Sequence, residues 1–367
     1  MPACRGSISA LLLYDISEEI NLKELRALIG AEAPLRSPDF RQPAPLYVRF
    51  EQAPVAEPCD SFHLATGEAV DARLRYFDYG VVSLEIELHF HCEWDELIAL
   101  SHRWIETGEV EQRGLEIARK HVNQIKSALI KPYSEWLDEA YYVVHLHEVL
   151  GEADSLLTGP ELLAQHGSEL AQILRGETQA LSDGERKDIL GSSLSYFPAD
   201  LLLVGWLAAI VYDTPQSAGP VFELLEYANT QLLEYRRYDE ILSGVLKHTY
   251  SELDRRGGPF SSWRLAREAK QMNRMRLEVV ELTERADNAI KFLSDMYYAR
   301  AYRLAAAKVG ANDYRNLVDQ KLKTAGELYH FMVNEFRETR AFVLELTIVI
   351  ILLIELVPFL AALLKVK

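Results

Sequence analysis

The segment Val81–Phe90 constrains the fold most, because from Val82 onward its apolar and polar residues alternate strictly. The apolar positions are Val82, Leu84, Ile86, Leu88 and Phe90. A period of two is typical of a β-strand, whose successive side chains point to opposite faces of a sheet. We therefore expect one face of this strand on an apolar core and the other face either in water or against something polar.

The first 150 residues mix strand and helix patterns, which predicts an α+β fold. Strands are expected at 8–15, 46–50, 70–77, 81–90 and 141–149, and helices at 18–29, 93–107 and 114–130. Residues 1–150 then form an antiparallel sheet with helices on one face, of which a ferredoxin-like fold is one example. Residues 151–219 add a helical segment and a β-hairpin, Leu201–Val204 with Ala208–Tyr212, that completes the body.

Residues 220–340 have apolar side chains at alternating spacings of three and four, as in a coiled coil. One such seam runs from Met272 to Met296, and another from Val318 to Phe336. The pattern predicts a long helical stalk, whose seams can pack against each other within one chain. Glu355, in the apolar stretch that follows, cannot be buried in that way, so we expect a homo-oligomer.

The segment Ala341–Leu364 is apolar except for a few positions and is flanked by basic residues. As a helix it is about 36 Å long, enough for a hydrocarbon core of about 30 Å, so it predicts a transmembrane anchor in contact with membrane lipid. Its unusual positions are Glu345, Glu355 and Pro358, which make the free energy of insertion into a membrane less favourable. The alternative is an apolar helix buried in a protein core.

Charge and cysteine content exclude several classes of protein. The net charge of −16 argues against binding to nucleic acid. Cys4, Cys59 and Cys92 form no close-spaced pair, which indicates a reducing compartment and neither a disulfide framework nor a zinc ribbon. The N-terminal residues lack the pattern of a signal peptide. Together with the anchor, this predicts a single-pass, tail-anchored protein of the inner membrane with its body facing the cytoplasm.

The order of four passages resembles the "required for meiotic nuclear division" family, as a bacterial member. These passages are Tyr76–Leu88, Ser195–Pro215, Phe222–Leu242 and Leu344–Leu356. The sequence departs from the family at Leu346, where an aromatic residue often follows the first glutamate of the anchor. The resemblance implies a membrane-tethered scaffold, linked in mitochondria to the support of organellar translation, and it implies no catalytic residues.

Two His-x-His pairs are the best chemical candidates: His89 with His91, and His145 with His147. Each pair lies on one face of a predicted strand, so pairing of the two strands would bring four imidazoles together as a transition-metal site, for example for zinc. The alternative is that the histidines lie on the wet face of the sheet or under the helical region. Register decides between the two, and the sequence does not define it.

Two functions follow from these observations. The first is a non-catalytic scaffold that acts through oligomerisation and an unknown protein partner. The second is a metal-dependent enzyme that uses the four histidines. The sequence favours the first, because no nucleotide-binding glycine motif and no Ser/His/Asp arrangement is present.

Overall fold

The structure, a computed structural model, describes residues 4–30, 54–151, 155–254 and 296–364, together with 267, 269–270, 272–274, 276–277 and 279–280. The strand expected at 46–50 and part of the 272–296 seam lie outside these residues. The chain divides into two compact units. The first contains residues 1–237 and 286–315, and the second contains residues 238–285 and 316–367.

A single sheet of eight strands dominates the described part of the first unit. The strands are β1 (Cys4–Ile20), β2 (Val55–His63), β3 (Ala69–Tyr76), β4 (Val81–Cys92), β5 (Leu129–Val149), β6 (Ser193–Leu194), β7 (Leu201–Val204) and β8 (Ala208–Tyr212). Their order across the sheet is β2-β3-β4-β1-β5-β8-β7-β6. The α+β fold and the β7–β8 hairpin are thus confirmed.

The described strands of residues 1–150 pair antiparallel throughout, as expected, and the added hairpin makes the complete sheet mixed. Strands β5 and β8 run parallel, with Val144 opposite Ile210, whereas the other neighbouring pairs are antiparallel. Parallel strands need a long crossover connection. The chain between β5 and β8 supplies it, because that stretch contains two helices.

The described helices are α1 (Leu22–Ile29), α2 (Trp94–Glu106), α3 (Glu109–Gln124), α4 (Gly159–Arg175), α5 (Asp183–Leu190), α6 (Pro215–Asp254), α7 (Met296–Lys308) and α8 (Ala311–Leu364). Their starts follow local capping rules. The side chain of Asn21 accepts from the backbone N–H groups at the start of α1, and Thr158 and Glu161 form a capping box at the start of α4.

The apolar core lies on one face of the sheet, under helices α1 to α5. Ile8, Leu84 and Ile86 are fully buried there, and Trp104 of α2 is 1% exposed. The alternation in Val81–Phe90 therefore predicted the core face of β4 correctly. The polar residues of the same strand lie on the opposite face.

The predicted transmembrane helix was wrong. The segment Ala341–Leu364 lies within α8, but no helix among the described residues combines the length and the apolar character needed to cross a membrane. A physical factor against insertion is the free-energy cost of placing the carboxylates of Glu345 and Glu355 in a hydrocarbon core. The inner-membrane location and the tail anchor are overturned with it, and Pro358 is a residue of α8.

Candidate functional site

The face of the sheet opposite the core carries charged and polar side chains, yet most of them are buried. We define the polar face by its buried members Ser7, Ser9, Asp15, Arg75, Glu85 and His145. Helix α6 covers this face with polar residues of its own: Glu226, Asn229, Thr230 and Arg237 are all buried. Buried charges are stable only when they are paired, so the contacts between these two sets decide what the face can do.

A buried ion-pair network joins β3 and β4 to α6. The guanidinium of Arg75 lies 2.7 Å from a carboxylate oxygen of Glu226 and 3.4 Å from one of Glu85, and Arg73 lies 2.5 Å from the same Glu85 oxygen. Burial raises the pKa of Glu226, although Arg75 lowers it in part. Burial also opposes ionisation of Glu85, but Arg73 and Arg75 hold its pKa below the usual range. Near them, burial raises the pKa of Glu223 to about 7.

A second group of contacts fixes α6 to β1 and β5. Arg237 Nε donates to Asp15 Oδ2 at 2.6 Å, and Arg237 Nη2 donates to the carbonyl oxygen of Glu135 at 3.0 Å. The same guanidinium lies 4.3 Å from the ring centroid of Tyr133, a cation–π contact. Arg236 forms an ion pair with Glu139. The contacts of Arg236 and Arg237 thus hold α6 on the sheet.

The structure brings His145 and His147 together and defines their tautomers. His145 Nε2 lies 3.0 Å from the carbonyl oxygen of Asp213, which can only accept, so this nitrogen carries the proton. His145 Nδ1 then accepts from His147 Nε2–H at 3.1 Å. Burial, together with the nearby His147, lowers the pKa of His145 to about 4. The pair is therefore neutral over the physiological range.

The other predicted pair is separated from this one by a strand. Strand β1 lies between β4 and β5, and Ser7 is opposite both His89 and His145. Two strand spacings of about 4.8 Å put their backbones about 10 Å apart. The two His-x-His strands are therefore not direct neighbours, and His91 lies opposite Arg5.

A metal at these histidines stays a prediction. Among the described residues, no three His, Cys, Asp or Glu side chains form a group that could hold a metal ion. The physical reason lies in the register: β1 keeps the two pairs apart, and the nitrogens of His145 are both used in hydrogen bonds within the protein.

Sequence reasoning missed a second cluster, at the edge of the sheet. Cys59 Sγ lies 3.9 Å from His121 Nε2, and His121 Nδ1 lies 3.1 Å from Glu57 Oε1. Tyr76 donates its hydroxyl proton to Glu57 Oε2 at 2.5 Å. The only local signal is that Glu57 and Cys59 share one face of β2. The histidine comes from α3, far along the chain, so no spacing rule could have found it.

Comparison with known proteins identifies relatives of this chain. The family model described as "Uncharacterized protein MJ0711, N-terminal domain" matches residues 5–218, which is more than half of the chain. The uncharacterized protein MJ0711 of Methanocaldococcus jannaschii is 22% identical over 200 residues, which cover 54% of this chain and 61% of that protein. The chain thus spans about three fifths of this relative's length. No solved structure matches it, and neither match bears on the resemblance to the meiotic nuclear division family.

Proposed function

We propose that this chain, which belongs to the family of the uncharacterized protein MJ0711 N-terminal domain, is a non-catalytic scaffold that acts through protein–protein contacts and self-association. One observation carries the proposal: α8 exposes a long series of large apolar side chains. We call it the apolar segment. Its exposed members are Phe342, Val343, Leu344, Leu346, Ile348, Val349, Ile350, Ile351, Leu352, Leu353, Ile354 and Leu356.

The apolar segment is exposed on every side of its helix. Ile348 to Ile354 are consecutive, so they cover about two full turns, and each is about half exposed. A helix that is apolar all round is normally buried, and large exposed apolar patches mark interaction sites. These facts support a partner that surrounds the segment.

The partner that we favour is the same segment of further copies of this chain. A bundle of identical helices packs the apolar side chains of several copies against one another and buries the inward-facing part of each helix. One polar group of the segment, the hydroxyl of Thr347, fits such burial because it already donates to the carbonyl oxygen of Val343 at 2.7 Å. An apolar interface between identical chains is also the usual form of a permanent oligomer.

The metal-dependent alternative has less support. Its four histidines are divided by β1, and His145 uses both of its ring nitrogens within the protein. The polar face is likewise taken up by ion pairs to α6. We therefore propose no reaction for that face.

The test compares two matched lysine substitutions by light scattering of the full chain. Leu352 is 58% exposed in the apolar segment, and Leu156 is 59% exposed in the first unit. We expect an oligomer for the wild type, a shift of Leu352→Lys to smaller species, and no change for Leu156→Lys. A monomeric wild type, or equal behaviour of the two variants, would overturn the proposal.

A further inference from the structure

The cluster at the edge of the sheet has the geometry of a thiol with its own general base. Glu57 and Cys59 lie on β2, His121 on α3 and Tyr76 on β3. A carboxylate can only accept hydrogen bonds, so His121 Nδ1 carries the proton toward Glu57. The lone pair of His121 Nε2 then faces Cys59 Sγ at 3.9 Å. A nucleophile, a base and a group that orients the base are the parts of an activated nucleophile.

The carboxylate is itself held in place. Glu57 Oε2 accepts from the hydroxyl of Tyr76, which leaves Glu57 Oε1 for the imidazole. The side chains of Glu57 and His121 are each 17% exposed, so their interaction is shielded from most of the solvent without being sealed off. This arrangement fixes one tautomer and one ring orientation of His121.

The strand is irregular at this cysteine. The pairing of β2 with β3 shifts in register between Cys59 and Phe62, which is a β-bulge. Bulges are frequent at sheet edges and beside active sites, where they change the direction of a side chain. β2 is the outermost strand of the described sheet, and Cys59 itself is only partly buried. A small reagent can therefore approach the sulfur from this edge.

The resting thiol is protonated, which limits the chemistry. Burial raises the pKa of Cys59 to about 11, and the charge of Glu57 acts in the same direction. Redox-sensing cysteines need a thiolate at rest, and Cys59 does not have one. A protonated thiol beside an imidazole nitrogen instead suits a reaction in which the thiol proton leaves during the attack and is needed again by the leaving group.

We propose that Cys59 is an acyl-acceptor site that takes an acyl group from a small thioester. Cys59 Sγ attacks the carbonyl carbon, and His121 Nε2 takes the thiol proton as the new carbon–sulfur bond forms. The bond between the carbonyl carbon and the sulfur of the donor then breaks. His121 returns the proton to that sulfur, so the products are S-acylated Cys59 and a free thiol. No oxidant or reductant is required, and the site adds to a scaffold a position that can be modified.

Cys92 provides an internal control for the test. It is half-buried like Cys59, and burial likewise raises its pKa to about 11. Among the described contacts, no imidazole lies beside its sulfur. Burial and thiol pKa alone therefore predict equal reaction of the two cysteines, whereas the base predicts faster reaction of Cys59.

The experiment incubates the full chain with S-acetyl-N-acetylcysteamine and measures acetyl transfer to each cysteine by peptide mass spectrometry. We expect Cys59 to react at least about tenfold faster than Cys92, because a positioned general base contributes about 100-fold or more. His121→Asn should abolish this difference without changing the rate at Cys92. Equal rates in the wild type would overturn the proposal.

A second variant separates chemistry from folding. Glu57→Gln keeps the shape and a hydrogen-bonding group but removes the charge that orients the imidazole. We expect it to lower the rate at Cys59 while the thermal unfolding temperature stays within a few degrees of the wild type. An unchanged rate at Cys59 in both His121→Asn and Glu57→Gln would show that the cluster only ties α3 to the sheet edge, and would overturn the proposal.

Discussion

Replacement of Arg75 by methionine tests whether the buried ion pairs hold α6 on the polar face. The side chains of Arg75 and Glu226 are 8% and 3% exposed, and their charged atoms lie 2.7 Å apart. Removal of Arg75 leaves the Glu226 carboxylate buried without this cation, whereas Glu85 keeps Arg73. Breaking one side of a buried pair typically costs about 3–5 kcal/mol, so we expect a loss of that size in the free energy of unfolding at pH 8.

Protonation limits this loss and makes it depend on pH. Burial already raises the pKa of Glu226, and loss of Arg75 raises it further. A carboxyl whose pKa is higher in the folded state binds its proton more tightly there. Stability then falls as the pH rises from the unfolded pKa to the folded one, by about 1.4 kcal/mol per pH unit. Arg75→Met should therefore lose less stability at pH 6 than at pH 8.

The assay is urea unfolding at both pH values, followed by the fluorescence of the tryptophans, among them the buried Trp104. The double variant Arg75→Met/Glu226→Leu removes both charges, and buried pairs replaced by apolar residues are often neutral in stability. The double variant should therefore recover most of the free energy of unfolding that the single variant loses. A loss below about 1 kcal/mol for the single variant, or a double variant that is less stable than the single one, would refute the reasoning.

Two further predictions concern single positions. Burial raises the pKa of Glu223 to about 7, so the wild type should lose stability as the pH rises from about 4.5 through 7. Glu223→Gln should remove this loss and increase the free energy of unfolding at pH 8 by on the order of 1–3 kcal/mol. An equally large increase at pH 4 would contradict the prediction. Gly80 has φ +95°, and an added Cβ would lie 1.8 Å from the carbonyl oxygen of Ser17, so Gly80→Ala should cost more than about 3 kcal/mol. Gly67→Ala is the control, because Gly67 has φ +87° but nothing lies within 4 Å of the added Cβ. This substitution should lower the free energy of unfolding by only about 1 kcal/mol. Equal shifts in the thermal unfolding temperature of the two variants would show that the contact with Ser17 is not the cause.

Several strands of the sheet could be predicted from local patterns, although β2 and β6 were missed. Strict alternation predicted β4, because a strand with one buried face alternates apolar and polar residues. The two apolar runs on either side of Gly205 predicted the β7–β8 hairpin, because a tight turn needs a residue such as glycine. The parallel pairing of β5 with β8 could not be predicted in the same way. It depends on which strand the crossover reaches, and that is a property of the assembled sheet.

The apolar segment shows where a local pattern led to a wrong conclusion. Residues Ala341–Leu364 were interpreted as a membrane span from their composition, but the described helices include none of sufficient length and apolar character. A count of apolar residues does not include the free-energy cost of the carboxylates of Glu345 and Glu355, which also lie in this segment.

The sequence by itself determined that β4 has one apolar and one polar face, because side-chain alternation is a local property of the chain. Only the tertiary structure decided what the polar face contacts. It inserted β1 between the two histidine strands, placed Glu226 of α6 against Arg75, and brought His121 to Cys59. Each of these contacts joins residues that are distant in sequence, and strand order and helix packing, which create them, have no local signature.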